Sequence, residues 1–285
     1  MSPRLLVIGA NGFVGAHLVN AAGKRFECIA AGRKECDITD AASVARAFAE
    51  ARPQAVALVA AMADIDRCQR EPARARETNV EGTRHVAEEC LRSGARLLFV
   101  SSGAVFDGTR QEYREDAGPN PVGVYGASKA AAEAVVTKLL PDAIIARISL
   151  VLGFPLRTCT NSLLERMQST LQSGSTVHTP ADEYRNAIDV ETVTRWMVDL
   201  LAAPESRGIF HLGSTDALSR DEIARGVAQA MGYPAELVVA DDSPPPGRAP
   251  RGRYELLVPA RIGGFSDVPA PTCRQAIERC VHAVT

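Results

Sequence analysis

The sequence predicts an α/β protein built on a doubly wound parallel sheet, with a smaller C-terminal lobe. Three observations carry that expectation. Short apolar runs alternate with helical stretches through the first 150 residues, a glycine-rich turn follows the first run, and the alternation breaks after about Leu150. Leu5 to Ile8 reads as a buried strand because four apolar residues run into the turn. A helix is expected over Gly12 to Ala22, with Val14, Leu18 and Val19 on one side. Cys28 to Ala31 is the second strand. A helix after Asp40 places Val44, Ala47, Phe48 and Ala51 at helical spacing. Ala55 to Ala60 is the third strand, Glu77 to Arg92 a helix, Arg96 to Val100 a strand, Tyr125 to Leu139 a helix and Ala143 to Ile148 a strand.

Beyond Leu150 the elements are less regular. Helices are expected over Asn161 to Gln172 and Thr192 to Leu201, the latter with Val193, Trp196, Met197, Leu200 and Leu201 on one stripe. Gly208 to Leu212 reads as a strand returning to the main sheet. Ser219 and Glu222 form a capping box that starts a helix ending near Gly232. The expected division is a dinucleotide-binding domain over 1–150, joined by 186–212, and a substrate lobe from 151–185 and 213–285. The segment 243–253, rich in Pro and Arg, reads as an exposed loop. It could lie over the cleft with Arg248, Arg251 or Arg253 near a diphosphate, or be an ordinary solvated loop.

Composition narrows the function classes. The 285 residues are 46% apolar with a formal net charge of -2, and no run of like charge offers the basic face of a nucleic-acid binder. Seven cysteines, at 28, 36, 68, 90, 159, 273 and 280, include no Cys-x-x-Cys pair. They read as buried small hydrophobes in a reducing compartment. Five histidines share no metal-ligand spacing on one helix, so no metal site is expected. No apolar run is long enough for a signal sequence or a membrane span, and a cytoplasmic protein is expected.

Gly9-Ala10-Asn11-Gly12-Phe13-Val14-Gly15 follows a strand and opens a helix. Two glycines there allow a tight turn and close approach of backbone to a pyrophosphate, and the third lets helix pack on strand. Free N–H groups and the macrodipole at the helix start favour phosphate. In this context the motif points to a Rossmann-type dinucleotide site. At the end of the second strand NAD enzymes place a carboxylate on the ribose. Here that position reads Ala31-Gly32-Arg33-Lys34, with a guanidinium available for a 2′-phosphate. NADP(H) is therefore the expected cofactor, with NAD(H) the alternative.

Tyr125 and Lys129 stand four residues apart on one predicted helix face. A phenol becomes a useful acid or base when a cation lowers its pKa. Ser101 and Ser102 end a strand, where ligands sit in such folds.

Together these features resemble the extended branch of the short-chain dehydrogenase/reductase superfamily, whose glycine spacing is Gly-x-x-Gly-x-x-Gly. The resemblance implies that Ser102, Tyr125 and Lys129 are catalytic, that Asp37 and Ile38 contact adenine, and that Ala60 and Ala61 line the cofactor cleft. Asn79 would order backbone and water near the lysine. Within the superfamily the chain is similar to the dTDP-4-dehydrorhamnose reductase group over nearly its whole length. Val105-Phe106-Asp107-Gly108, Asn120-Pro-Val-Gly-Val-Tyr125-Gly and Asp37-Ile-Thr-Asp40 resemble that group's segments. The resemblance implies reduction of a 4-keto group on a nucleotide sugar, and a homodimer packed through two helices, with Ala130, Ala131, Ala132 and Ala134 allowing close contact.

The departures lie on the substrate side. Gly103-Ala104 replaces the group's Asp-Tyr, Tyr184-Arg-Asn-Ala-Ile188 replaces its Gly-x-Pro-Thr stretch, and Arg251-Gly-Arg253 replaces its Arg-Pro. Gly103-Ala104 also lacks the Asp-Glu pair that a sugar dehydratase needs. An NAD-dependent epimerase and a non-catalytic NADP-binding regulatory subunit remain as alternatives.

Overall fold

The computed structural model describes residues 2–157, 162–243 and 246–282. Cys159 and Asn161, named above, and Pro244 and Pro245 of the segment 243–253 lie outside them. The first half lays down β1 (Arg4–Ile8), α1 (Phe13–Ala22), β2 (Glu27–Ala31), α2 (Ala41–Ala51), β3 (Ala55–Leu58), α3 (Ile65–Arg70), α4 (Pro72–Arg76), α5 (Gly82–Ser93), β4 (Arg96–Ser102), α6 (Val124–Leu139) and β5 (Ile144–Ile148). The second half adds β6 (Val151–Leu152), α7 (Leu163–Gln172), β7 (Val177–Thr179), β8 (Tyr184–Arg185), β9 (Ile188–Asp189), α8 (Val190–Ala202), β10 (Gly208–Leu212), β11 (Leu218–Ser219), α9 (Arg220–Ala230), β12 (Val238–Ala240), β13 (Tyr254–Glu255) and α10 (Cys273–His282).

Six strands form one parallel sheet in the order β10-β5-β4-β3-β1-β2. The chain leaves β1 toward β2 and then toward β3 on its other side, so the topological switch lies between β1 and β3, where such sheets bind ligands. The strands are apolar on both faces because helices cover both. Leu5 and Val7 enter one core with Leu18 of α1 and Val193, Trp196 and Met197 of α8. Leu6 and Ile8 enter the other with Val44 and Phe48 of α2, Val86 of α5 and Val136 of α6. Ala132 is part of that second core, so it is not available for a subunit contact, contrary to the sequence-based expectation. A third apolar cluster joins Leu164, Met167, Ile223, Val227, Cys273, Ile277 and Cys280 from α7, α9 and α10.

Local signals explain the element starts. Asp40 caps α2 by accepting from Ala42 N, Asp189 caps α8 through Thr192 N, and Ser219 and Glu222 make the reciprocal capping box of α9. The six described cysteines are unpaired thiols, five buried and Cys28 half-buried. Burial pushes the thiols of Cys36 and Cys68 up to about 11 and that of Cys90 up to about 12. Among the described residues no helix is long and apolar enough to cross a membrane, and no His/Cys/Asp/Glu cluster suits a metal.

The helix expected over Glu77 to Arg92 is not uniform. Glu77–Glu81 is a π-helical turn that continues into α5. Such turns displace one residue from the α-helical register and are frequent at functional sites. The displaced stretch contains Asn79.

Candidate active site

The glycine turn is shaped by close packing of backbone. Gly9 has φ +94, and a Cβ there would lie 2.6 Å from Ala60 N. A Cβ on Gly15 would lie 2.1 Å from Gly9 O, so α1 can approach the turn only with glycine at that position. Gly12 ends the turn as the N-cap of α1 without a side-chain cap, leaving the first N–H groups of the helix open for an anion. Asn11 stands over Gly32, where a Cβ would lie 2.0 Å from its Nδ2. Arg157, from the second half of the chain, donates to Asn11 Oδ1 at 3.0 Å. Phe13 meets His17 edge-on, and Val14 packs partly buried against the core.

At the end of β2 the side chains are more engaged than the sequence implied. Arg33 is exposed and pairs with Asp37 at 3.1 Å. Thr39 donates to Asp37 Oδ1 through both N and Oγ1, and these bonds hold the carboxyl below its ordinary range. A carboxylate does stand here: Glu35 folds back so that its Oε2 accepts from Gly32 N at 2.9 Å. Ile38 is 4% exposed and lies under Gly82, so its side chain belongs to the core. Of the Asp37-Ile38 pair only the first side chain is presented outward, so Ile38 could meet an adenine only through its backbone.

Asn79 orders backbone. It is 1% exposed. Its Oδ1 accepts from Met62 N at 2.8 Å, and its Nδ2 donates to Met62 O at 3.1 Å and to Ser128 Oγ at 2.9 Å. Ser128 in turn donates to Tyr125 O at 2.7 Å. One buried amide thus ties the backbone after Ala60 and Ala61, both half-buried, to the turn of α6 that carries Tyr125.

Ser102, Tyr125 and Lys129 come together. The Ser102 hydroxyl hydrogen-bonds the Tyr125 phenol, and burial, with smaller contributions from the charges of Cys68 and Glu255, raises that phenol to about 12. Ser102 Oγ also accepts from Ala104 N at 3.2 Å. Lys129 is 2% exposed; its Nζ donates to Val100 O at 2.7 Å and lies 4.1 Å from the Phe99 ring centroid. Burial lowers the Lys129 ammonium to about 7, against the opposing pull of Glu133. Ser101 points to the other side, donating to Glu133 Oε1 at 2.5 Å. Glu133 is locked to Arg147 at 2.7 Å, with side-chain exposures of 6% and 1%. Arg147 also contacts His211, which burial and that guanidinium hold neutral, with its pKa near 3. This buried chain supports the end of β4 from behind.

The facing wall was not legible in the sequence. Strands β11, β8 and β13 form a small sheet in which Tyr184 stacks on Tyr254 at 5.1 Å between centroids. Arg185, 5% exposed, pairs with Glu183 and Glu255, each at 3.3 Å. Arg248 pairs with Glu183 at 2.5 Å, Arg251 with Asp66 at 3.0 Å and Arg253 with Asp182 at 2.6 Å. The segment is therefore not a supply of free guanidinium groups, since each of its arginines pairs with a carboxylate of the protein itself, while Ser243, Pro246, Gly247, Pro250 and Arg253 are exposed to solvent. Ala249 N donates to Asp66, and Gly252 meets the backbone of Gly108, so the segment seals the wall against α3 and the loop after β4. Arg220, at the start of α9, has no ion pair among the described residues; burial and the charge of Arg185 lower its pKa to about 10.

This arrangement, a dinucleotide turn beside a Ser–Tyr–Lys set, agrees with the family comparison. The family described as the RmlD substrate binding domain matches residues 3–285. The chain belongs to that family. It is thereby an oxidoreductase of the short-chain dehydrogenase/reductase type. It is 29% identical over 290 aligned positions to a dTDP-4-dehydrorhamnose reductase of Mycolicibacterium smegmatis, covering 100% of this chain and 86% of the relative. It is 44% identical to another from Streptomyces griseus, over 49% of this chain and 47% of that protein. Methionine adenosyltransferase 2 subunit beta of Bos taurus is 27% identical over 91% of this chain and 81% of its own length. A crystal structure of dTDP-4-dehydrorhamnose reductase from Bacillus anthracis in complex with NADP superposes with a TM-score of 0.91 at 26% identity, covering 99% of this chain and 100% of that one.

Proposed function

We propose that the protein uses NADP(H) to reduce the keto group of a nucleotide-linked 4-keto sugar. The observation that carries this reading is the meeting of Ser102, Tyr125 and Lys129 at the open end of β4, beside a turn that excludes any side chain at Gly9 and Gly15. The cradle suits a dinucleotide. Gly9, Asn11, Gly12, Phe13, Val14 and Gly15 would receive its pyrophosphate, Arg33 a 2′-phosphate once it turns from Asp37, and the backbone of Ala60 and Ala61 its ribose side. When bound, the reduced nicotinamide supplies a hydride to the carbonyl carbon.

The protein supplies the proton. Its raised pKa keeps the Tyr125 phenol protonated at neutral pH, so it can give that proton to the carbonyl oxygen as negative charge develops there. The Ser102 hydroxyl hydrogen-bonds the same oxygen and holds it within reach of the phenol. Lys129 lies one helical turn below Tyr125, and its ammonium favours the phenolate left after transfer. Asn79 acts through Ser128 and the Met62 backbone, fixing the turn from which Tyr125 projects. Residues 151–185 and 213–285 would receive the sugar nucleotide, with Arg220 as the uncommitted cation for its diphosphate.

The test is turnover. NADPH should be consumed in proportion to dTDP-4-dehydrorhamnose, with UDP- and GDP-linked ketones as comparisons. If a panel of such ketones leaves NADPH untouched while a partner enzyme forms a stable complex, a regulatory subunit replaces this reading. Co-purified NAD with sugar interconversion and no net oxidation would make it an epimerase.

A further inference from the structure

The residue after Ser102 is glycine, and a carboxylate from far along the chain lies beside it. A Cβ on Gly103 would lie 3.4 Å from Glu255 Oε2. Glu255 comes from β13, far along the chain, and its carboxylate pairs with Arg185, Oε1 lying 3.3 Å from the guanidinium. Arg185 is itself fixed, donating to Tyr184 O at 2.8 Å and to Arg253 O at 3.2 Å. The stacked rings of Tyr184 and Tyr254 lock the two strands in the same register that pairs Arg185 with Glu255. Oε2 accepts no hydrogen bond among the described residues, and the side chain, 12% exposed, keeps some solvent access. The charge of Glu255 is also felt by the Tyr125 phenol, which places the carboxylate on the same cleft as the reacting group.

We propose that Glu255 is a specificity-determining residue, whose Oε2 accepts a hydrogen bond from a hydroxyl or ammonium group on the carbon next to the carbonyl being reduced. The proposal rests on the reductase reading above and names what that reading leaves open. A carboxylate has no proton to donate when ionised, so it selects for a donor and against a hydrogen or a carboxylate at that carbon. Sites built to bond a polar substituent reject the analogue that lacks it far more strongly than apolar pockets reject a missing methylene, because the buried polar group is left unpaired. The pairing with Arg185 positions the carboxylate with Oε2 beside Gly103.

The experiment compares kcat/KM for three dTDP-linked 4-keto sugars carrying a hydroxyl, an ammonium or only hydrogen at C3, in the wild type, Glu255→Gln and Glu255→Ala. The wild type should prefer either donor over the 3-deoxy ketone by about 10²-fold. Glu255→Ala should lose rate on both donor substrates and none on the deoxy one, erasing the preference. Glu255→Gln keeps an acceptor oxygen without the charge, so it should retain most of the hydroxyl preference and lose the ammonium preference. NADPH titration of each variant, with unchanged Kd, verifies that the fold and the cofactor side are intact, and Glu255→Gln carries the comparison alone if Glu255→Ala fails to fold. Equal losses on all three ketones would mean that Glu255 only supports the wall through Arg185, and an unchanged preference would mean that it does not touch the substrate; either overturns the proposal while leaving the reductase reading in place. A wild type that reduces none of the three, with every other nucleotide-linked ketone also inert, overturns the reductase reading and this proposal together.

Discussion

The two walls of the cleft are built from different materials. The cofactor wall is made of backbone and neutral hydrogen bonds: the Gly9–Gly15 turn, the start of α1, and the Asn79 amide between Met62 and Ser128. The substrate wall is made of charged side chains: Arg185, Glu183, Glu255, Arg248 and Arg220. Bare backbone suits a ligand whose phosphates are always the same, and it tolerates little change because a Cβ has nowhere to go. Ion pairs between side chains can be re-sorted by single substitutions, so specificity can change on that wall without disturbing the first. The difference teaches that cofactor binding and substrate choice should fail separately when residues of each wall are replaced.

The largest stability effect should come from neither wall but from the buried pair behind both. Glu133→Ala leaves Arg147 as an unpaired charge in the core and removes the partner of Ser101, and should cost about 3–5 kcal/mol in chemical denaturation. Asn79→Ala should follow, at about 1–3 kcal/mol, because it leaves the Met62 backbone groups without their buried partner. It should also weaken NADPH binding. Arg220→Met tests the other wall: KM for the nucleotide sugar should rise roughly tenfold, as expected for loss of a charge-assisted hydrogen bond, with little change in stability or NADPH affinity. Parallel losses in sugar and cofactor binding would break the separation. Arg33→Asp should reduce the preference for NADPH over NADH, and Glu35→Gln should sharpen it, since a carboxylate near the end of β2 opposes a 2′-phosphate.

Lys129 adds a smaller, pH-dependent signature. Its folded pKa is near 7, well below the ordinary 10.5, so above about pH 7 the unfolded chain holds a proton that the folded protein lacks. Stability from this group therefore rises with pH through that window. Without cofactor, the Tm of the wild type should climb relative to Lys129→Met between about pH 7 and about pH 10, above which the raised pKa of Tyr125 works in the opposite sense. A constant difference would mean that Lys129 stays charged in the folded protein.

The same contrast governs what was legible in the sequence. The glycine turn, Ser102 and the Tyr125–Lys129 spacing are contiguous or lie at strand and helix ends, so their residue types and positions announce them. The backbone-ordering role expected of Asn79 fits its bonds to Met62, but its link to Ser128 depends on a π-helical turn that leaves no periodic signal. Arg33 was read without the neighbours Asp37 and Glu35 that engage this turn. Strands of two or three residues, such as β8 and β13, are too short to show alternation, and these strands deliver Arg185 and Glu255. The pairing of residues from distant segments becomes visible only in three dimensions. Helix α10 is different: Cys273, Ala276, Ile277, Cys280 and Val281 repeat at helical spacing and bury one face, so its signal was present and went unread.

The central claim is that Tyr125 gives the proton in a ketone reduction, and Tyr125→Phe tests it most directly. General acid catalysis is worth about 10²–10⁴-fold in rate. With dTDP-4-dehydrorhamnose as substrate, kcat should fall by that order while the Kd for NADPH stays near its wild-type value, because the lost hydroxyl acts mainly in the transition state. Near-normal reduction by Tyr125→Phe would contradict the account, since the Ser102–Tyr125–Lys129 set would then not be where the proton is delivered.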